Sequence, residues 1–271
     1  MTGTKNFQKI FAKNFLKILA PLYMAALYAF IFLPVVVLVI FSFQDGRLPV
    51  PPLKGITLKW YADVLSDRAL LAALLNSLIV ATISSATALV LGFLAATALA
   101  RTLLPGSALI RGLLIAPMAV STLIIALGLM NLWRELGLTV SLWATGIGHV
   151  IINLPLCFAI LYAAMGDQHR SAERAARDLG ASEARVLWHV TAPMLMPSLL
   201  AAFFLSVTFS WDEFIIAFLL TRFDVTLPVE IWSLLKSGLN PKTNAVGSLV
   251  FLISVAILIL LELTAFRKRK P

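Results

Sequence analysis

Residues 171–193 read SAERAARDLGASEARVLWHVTAP, a polar and charged run set between strongly apolar ones. With Arg170 before it, the run gathers Glu173, Arg174, Arg177, Asp178, Glu183 and Arg185 into a short space. At helical period Ala172, Ala175, Ala176 and Leu179 fall at i, i+3, i+4 and i+7, so one face is small and apolar and the other charged. Ser171 is placed to cap the start of this helix, with Glu173 in the first turn, where the helix dipole favours negative charge. Gly180 then lets the chain turn, Ser182 caps a second helix, and Pro193 opens the next apolar segment. An alanine face buries little area but allows close backbone approach. That suits a ridge docking into a groove on another protein, and equally a solvated helix between two membrane spans.

The flanking composition favours a membrane on both sides. Of 271 residues, 60% are hydrophobic and 13% charged, and the mean hydropathy is +0.94. So much apolar surface exceeds what one soluble core can hide, and it excludes disorder. A net charge of +9 suggests nucleic acid only until the charges are placed. They lie between apolar runs and not on one basic face, so they read as topology signals, and no nucleic-acid partner is expected. Cys157, the one cysteine, sits inside an apolar run and implies neither a disulfide framework nor a metal site.

Outward from the central run, six apolar stretches are long enough to cross a bilayer that needs about 20 helical residues. They cover about Leu22–Phe41, Leu70–Ala100, Leu113–Trp133, Leu142–Met165, Met194–Leu220 and Ala245–Ala265. The chain is therefore expected to be an all-α integral membrane protein forming one domain over 1–271. Before the first span, residues 1–20 carry Lys5, Lys9, Lys13 and Lys17 among aromatic and aliphatic residues, the pattern of an amphipathic helix lying in the headgroup layer, with a disordered basic tail as the alternative. The first span lacks a small-residue cleavage site and is read as an anchor. Pro34 predicts a kink or a local rearrangement of the hydrogen-bond ladder in it. Pro49, Pro51 and Pro52 argue against regular structure in 42–69, where Trp60 and Tyr61 could float at the outer interface or pack on neighbouring helices. Small and weakly polar residues of the second span, from Asn76 to Gly92, suit contact with other helices. A short helix is expected over Val229–Leu239.

Counting charges orients the spans. Four basic residues near the N terminus, Arg101, Arg111, four in the central loop and four at the C terminus place 14 of the 22 Lys and Arg on one side. The positive-inside rule puts both termini and the loop over 166–192 in the cytoplasm.

Chemistry-bearing residues are sparse. No Gly-x4-Gly-Lys-Ser/Thr phosphate loop occurs, and no His, Cys or carboxylate set has metal-ligand spacing, so no cofactor is expected on this chain and it is not read as an enzyme. Asp212 and Glu213 stand about 27 Å along the fifth span, in its outer half. Carboxylates in hydrocarbon are costly unless they face a polar route or a partner. They are placed to meet a cationic substrate, with Trp211 available for cation–π contact, or to pair with Arg222 and hold the outer loop. Glu262 is expected to pair locally with the basic cluster Arg267–Lys270.

The central run resembles the cytoplasmic loop signature of permease subunits in binding-protein-dependent ABC importers, Glu-Ala-Ala, three residues, Gly, nine residues, Ile-x-Leu-Pro. Ala175, Ala176, Gly180, Val190 and Pro193 match it. Arg174 stands where the glutamate is expected, with Glu173 one place earlier, and Ala192 replaces the leucine. The resemblance runs through nearly the whole chain and is greatest to the second permease of spermidine/putrescine-type systems. It implies the six-helix type I importer fold. It also implies a coupling helix seated on an ATPase through Glu173, Arg174, Ala175, Ala176, Asp178, Leu179, Gly180 and Pro193. The implied partners are two cytoplasmic ATPase subunits holding ATP and Mg, a second related permease, a periplasmic or surface substrate-binding protein and the bilayer of a bacterial inner membrane. The implied cargo is a small polyamine-like cation passing Trp211, Asp212, Glu213 and His149. His149 matches a histidine at the head of the family's fourth span. Ser121 and Thr122 depart from it, standing where those permeases carry a proline and an acid. Another amine, amino-acid derivative or sugar is the alternative cargo. A secondary transporter is the alternative class, although no internal repeat with paired broken helices is visible in the sequence.

Overall fold

The computed structural model describes residues 3–102, 105–238 and 240–266, with the side chains of 3–18, 167–168, 257–258 and 260–266 outside that description. The lysine ladder of the N-terminal segment, the Glu262 pairing and the cluster Arg267–Lys270 therefore lie outside the described residues. Every regular element described is helical, apart from one isolated bridge between Gln44 and Ile56.

Helix α1 (Gly3–Ser42) runs unbroken for 40 residues, so the N-terminal segment and the first span are one element, and neither Pro21 nor Pro34 ends it. Most of its described apolar side chains, among them Leu22, Phe30 and Leu33, are exposed, whereas Val35, Leu38, Val39 and Phe41 are half-buried. The segment after it is irregular until α2 (Lys59–Ser66). Asp67 caps α3 (Arg68–Arg101), its Oδ1 accepting from the Ala69 and Leu70 amides at 2.9 and 3.3 Å.

The third span is not the single helix expected. It splits into α4 (Ser107–Ile115) and α5 (Thr122–Glu135), joined by a 3-10 turn over Ala116–Ala119 and bent by 102°. Pro117 supplies no amide to an α-helical ladder, and the backbones of Val120 and Ser121 are extended, so helical bonding lapses there. Helix α6 (Leu142–Ala164) follows the expected fourth span closely and carries Pro155 without breaking.

The central loop forms α7 (Asp167–Asp178), α8 (Glu183–Val186), a π turn over Leu187–Thr191 and α9 (Ala192–Met194). The fifth span is also broken. It comprises α10 (Met196–Asp212), bent by 76° from the segment before it, and α11 (Ile215–Leu220). The expected short outer helix is α12 (Leu227–Ser237), and α13 (Pro241–Phe266) is the last element. Among the described residues, three helices are long and apolar enough to cross a membrane, and each bent pair forms one further span if taken together.

The chain divides into two units. In the first, which holds α1, most of α2 and much of α13, Gln44 organises the segment between α1 and α2. Its Nε2 donates to Val50 and Pro52 oxygens at 3.1 and 3.2 Å, and its Oε1 accepts from the Lys54 amide at 3.0 Å. Trp60 and Tyr61 pack inward rather than float. Trp60 Nε1 donates to the Gln44 carbonyl at 2.7 Å, and the Tyr61 hydroxyl lies 2.6 Å from Ser42 Oγ and 3.2 Å from Ser248 Oγ.

The second unit, Ser66–Lys236 with the chain from Ala256 on, is built on a seam of α3, α6 and α10. His149 on α6 meets Ser210 on α10 at 2.6 Å, and Ser84 on α3 meets the same Ser210 at 3.2 Å. Two turns along, Gly92 abuts Cys157, and Cys157 faces the carbonyl of Ala202. Hence α3 and α6 run parallel, with α10 antiparallel to both. A Cβ on Gly92 would fall 2.9 Å from Cys157 Cβ and from the Phe158 amide nitrogen, so glycine is what permits the approach. Small residues at such a seam let backbones close together where lipid supplies no hydrophobic drive between helices. Phe93, Ala96, Phe158, Leu161 and Leu195 complete the apolar core beside it.

Candidate functional site

Two places bring together the residues singled out from sequence. The first is the central loop. Helix α7 starts after Gly166, whose amide donates to His169 Nδ1 at 3.3 Å, and so Ser171 lies inside the helix instead of capping it. Gly180 adopts φ +85° to end the helix, with its amide on the Arg177 carbonyl at 2.8 Å and the Ala181 amide on Ala176 at 3.0 Å. Ser182 caps α8 as expected, accepting from the Arg185 amide at 3.4 Å. Across the turn Arg177 grips Glu183 with two bonds of 2.6 and 2.9 Å. This pairing pushes the Arg177 pKa up and holds the Glu183 carboxyl below the usual carboxylate range.

The faces of α7 differ from expectation. Glu173 is only 2% exposed and turns inward, whereas Arg174, Ala175, Asp178 and Gly180 are exposed and Leu179 is 89% exposed. Ala172 and Ala176 are half-buried beside Glu173. The reason is a partner far off in sequence. Arg101, at the end of α3, donates from Nη2 to Glu173 Oε1 at 2.7 Å, and its Nε lies 2.5 Å from Oε2. Turning two or three alanine methyls inward gains on the order of 1 kcal/mol each. Separating a buried carboxylate from its guanidinium costs about 3–5 kcal/mol. The ion pair decides which face is inside. Of the residues expected to touch an ATPase, Glu173 therefore faces the body of this chain, while Arg174, Ala175, Asp178, Leu179 and Gly180 face out. Pro193 is exposed and opens α9 beyond the π turn.

The second place is the end of α10. Trp211 is buried, Asp212 is exposed, and Glu213 is half-buried in the gap before α11. Glu213 Oε1 accepts from the amides of Ile215 and Ile216 at 3.0 and 3.1 Å, so this carboxylate serves as the N-terminal cap of α11. Arg222 pairs with neither acid; its guanidinium lies 4.9 Å from the ring centre of Phe223. Asp212 makes no hydrogen bond or ion pair among the described residues and is the one acid here left open. His149 is 1% exposed and bonded to Ser210, two residues before Asp212. An apolar cleft of about 400 Å³ between α3 and α6, lined by Ile79, Ile83, Trp143 and Ile147 among others, holds no charged group.

Sequence reasoning placed Ser84 and Gly92 on a helix-contact face, as found, but missed the site roles of Arg101, Thr191 and Ser210. The recurrence of His149, Asn153 and Cys157, and of Ala202, Ser206 and Ser210, each at four-residue spacing on facing helices, was the available signal.

Residues 88–270 match the family model described as binding-protein-dependent transport system inner membrane component. The chain belongs to this family. The spermidine/putrescine transport system permease protein PotC of Escherichia coli (strain K12) is 30% identical over 250 residues, covering 92% of this chain and 94% of the relative. The putrescine transport system permease protein PotI of the same strain is 31% identical over 232 residues, covering 82% of each. Among solved structures, a bacterial ABC transporter involved in the import of the acidic polysaccharide alginate matches with TM-score 0.68 and 18% identity over 96% of this chain and 98% of that one. The alginate transporter in complex with its alginate-bound periplasmic protein matches with TM-score 0.71 and 16% identity over 95% and 96%. These two likenesses establish the helical fold of such importers' membrane chains for this one.

Proposed function

We propose that this chain is the transmembrane permease subunit of an ABC importer for a small cationic solute of the spermidine/putrescine type. The observation that carries the reading is the likeness to PotC, which extends over nearly the whole of both chains. The chain crosses a bacterial inner membrane six times with both termini cytoplasmic. The long helices, the two bent pairs and α13 supply the spans, and the charge bias supplies the orientation.

In this reading the loop 166–192 is the coupling loop. Its outward residues Arg174, Ala175, Asp178, Leu179 and Gly180 seat on one of two cytoplasmic ATPase subunits, which hold ATP and Mg. A second, related permease completes the pathway, and a periplasmic or surface binding protein delivers the solute. Closure of the ATPases on ATP draws the coupling helices together and opens the permease pair outward. Asp212 is the cation's contact on this chain, because an ammonium group offsets the desolvation of an open carboxylate in a low-dielectric path and an anion is repelled by it. His149, Trp211 and Glu213 shape the pathway end of α10 around it.

A different small solute is the second reading, favoured by Ser121 and Thr122. At the break before α5 they leave no acid where the polyamine permeases are expected to have one. Purification tests the assignment of class. Recovery of the chain with a nucleotide-binding partner and a second permease supports it. Full transport activity by the lone chain on an ion gradient would mean a secondary transporter instead.

A further inference from the structure

Helix α7 is tied to the rest of the second unit by its charged face, and the ties converge on Glu173. The Arg101 guanidinium engages both carboxylate oxygens, at 2.7 Å to Oε1 and 2.5 Å to Oε2. Thr191 Oγ1 donates to Oε1 at 2.8 Å. One turn earlier on α7, Arg170 Nη2 donates to the carbonyl of Ala100 at 2.7 Å, one of the orphan carbonyls closing α3. Three elements thus meet at one carboxylate: the last turn of α3, the middle of α7, and the final residue of the π turn that leads into the bent fifth span. Glu173 is 2% exposed and the Arg101 side chain 14%.

A buried ion pair contributes little net stability, because desolvation of both partners cancels most of the attraction. Its distinctive property is orientation. A guanidinium close to both oxygens of one carboxylate, with Oε1 held by one bond from Arg101 Nη2 and one from Thr191, favours one geometry, and slipping it by a fraction of a turn strands two charges out of water. The π turn is itself a departure from the α ladder of the kind that recurs at functional sites. The pair also borders a cavity of about 290 Å³ lined in part by Thr97, Thr102, Arg177 and Glu183, so the joint is packed tightly on one side and has room on the other.

We infer that Glu173 is a positioning residue that acts through Arg101 and Thr191. It makes α7, the end of α3 and the π turn move as one body, so that displacement of the coupling helix reaches the seam of α3, α6 and α10. This rests on the coupling-helix reading above and removes Glu173 from the surface offered to the ATPase.

The test uses the whole reconstituted complex with its ATPase subunits, second permease and binding protein. Retention of ATPase subunits, ATP hydrolysis and solute taken up per ATP are measured for Glu173→Gln, Thr191→Val, the exchange Arg101→Glu with Glu173→Arg, and Ala175→Trp. The expected result is that Glu173→Gln keeps its ATPase subunits and hydrolyses ATP but takes up at least tenfold less solute per ATP. Thr191→Val, which removes one bond at constant volume, loses about two- to fivefold, and the exchange recovers a substantial part of the tenfold loss. Wild-type uptake per ATP in Glu173→Gln overturns the inference. So does loss of ATPase subunits from a Glu173→Gln complex whose permeases stay assembled, since Glu173 would then be a partner contact. If Glu173→Gln does not assemble at all, Thr191→Val decides alone, and wild-type coupling there is the contrary result. Ala175→Trp separates the two claims. Wild-type coupling in that variant sinks the coupling-helix reading itself, whatever Glu173 does.

Discussion

Glu213 Oε1 accepts the backbone amide of Ile216 at 3.1 Å, so of two neighbouring acids one is a helix cap and the other, Asp212, is open. The two carboxylates therefore separate under substitution. Glu213→Gln keeps a cap acceptor and is expected to transport within about threefold of wild type. Glu213→Ala loses the cap and about 1 kcal/mol of stability. Asp212→Asn is expected to raise the KM for polyamine uptake at least tenfold without changing assembly. Equal loss in Glu213→Gln and Asp212→Asn, measured as initial uptake rates, would contradict this division.

The seam of α3, α6 and α10 sets a second expectation, on stability. Gly92→Ala forces a Cβ to within 2.9 Å of the Phe158 nitrogen, a backbone atom that cannot swing aside. Overpacking of this kind costs about 1–3 kcal/mol. Gly112→Ala, with nothing within 4 Å of its Cβ, gains helix propensity of about 1 kcal/mol instead. Thermal unfolding of the purified complex is expected to show a lower Tm for the first and an unchanged or higher Tm for the second. The reverse order would mean that the seam is not packed as described.

Much of this was legible from sequence, and the failures have physical causes. The ends of α3 and α6 follow apolar run length, because a bilayer sets a minimum length that few other forces share. The break at Pro117 was signalled by its residue type but not by its size, since prolines 21, 34 and 155 sit in helices that continue. Which face of α7 points inward could not be read locally. Periodicity singles out an alanine face suited to docking, but the partner that turns Glu173 inward, Arg101, lies 72 residues away in the chain. Likewise Glu213 read either as half of a binding pair or as a partner of Arg222, and the gap between α10 and α11 makes it a cap instead.

The Arg177–Glu183 grip carries a pH dependence. Glu183 has a lowered carboxyl pKa in the folded chain, so its contribution is present above the unfolded value of about 4.3 and is lost as pH falls through the lower folded value. Hydrogen-exchange protection of the amides around Gly180 is expected to exceed that of Glu183→Gln near neutral pH and to converge with it as the pH falls below the folded value. A constant difference between the two proteins across that range would show that the pair does not hold the turn.

Orientation is open to direct labelling. In a Cys157→Ala background, Asp178→Cys is expected to react with a membrane-impermeant thiol reagent only from the cytoplasmic side, and Lys54→Cys only from the outer side. Labelling of position 178 from outside alone would invert the topology and remove the coupling loop from any cytoplasmic ATPase.

The most direct measurement is ATP-driven uptake of labelled putrescine and spermidine into proteoliposomes holding the complete complex, set against a panel of amino acids and sugars. Saturable polyamine uptake that requires ATP on the ATPase side and the binding protein on the other, and that collapses in Asp212→Asn, is the result expected. ATP-dependent uptake of another solute with no polyamine uptake, or polyamine uptake indifferent to Asp212, would contradict the account.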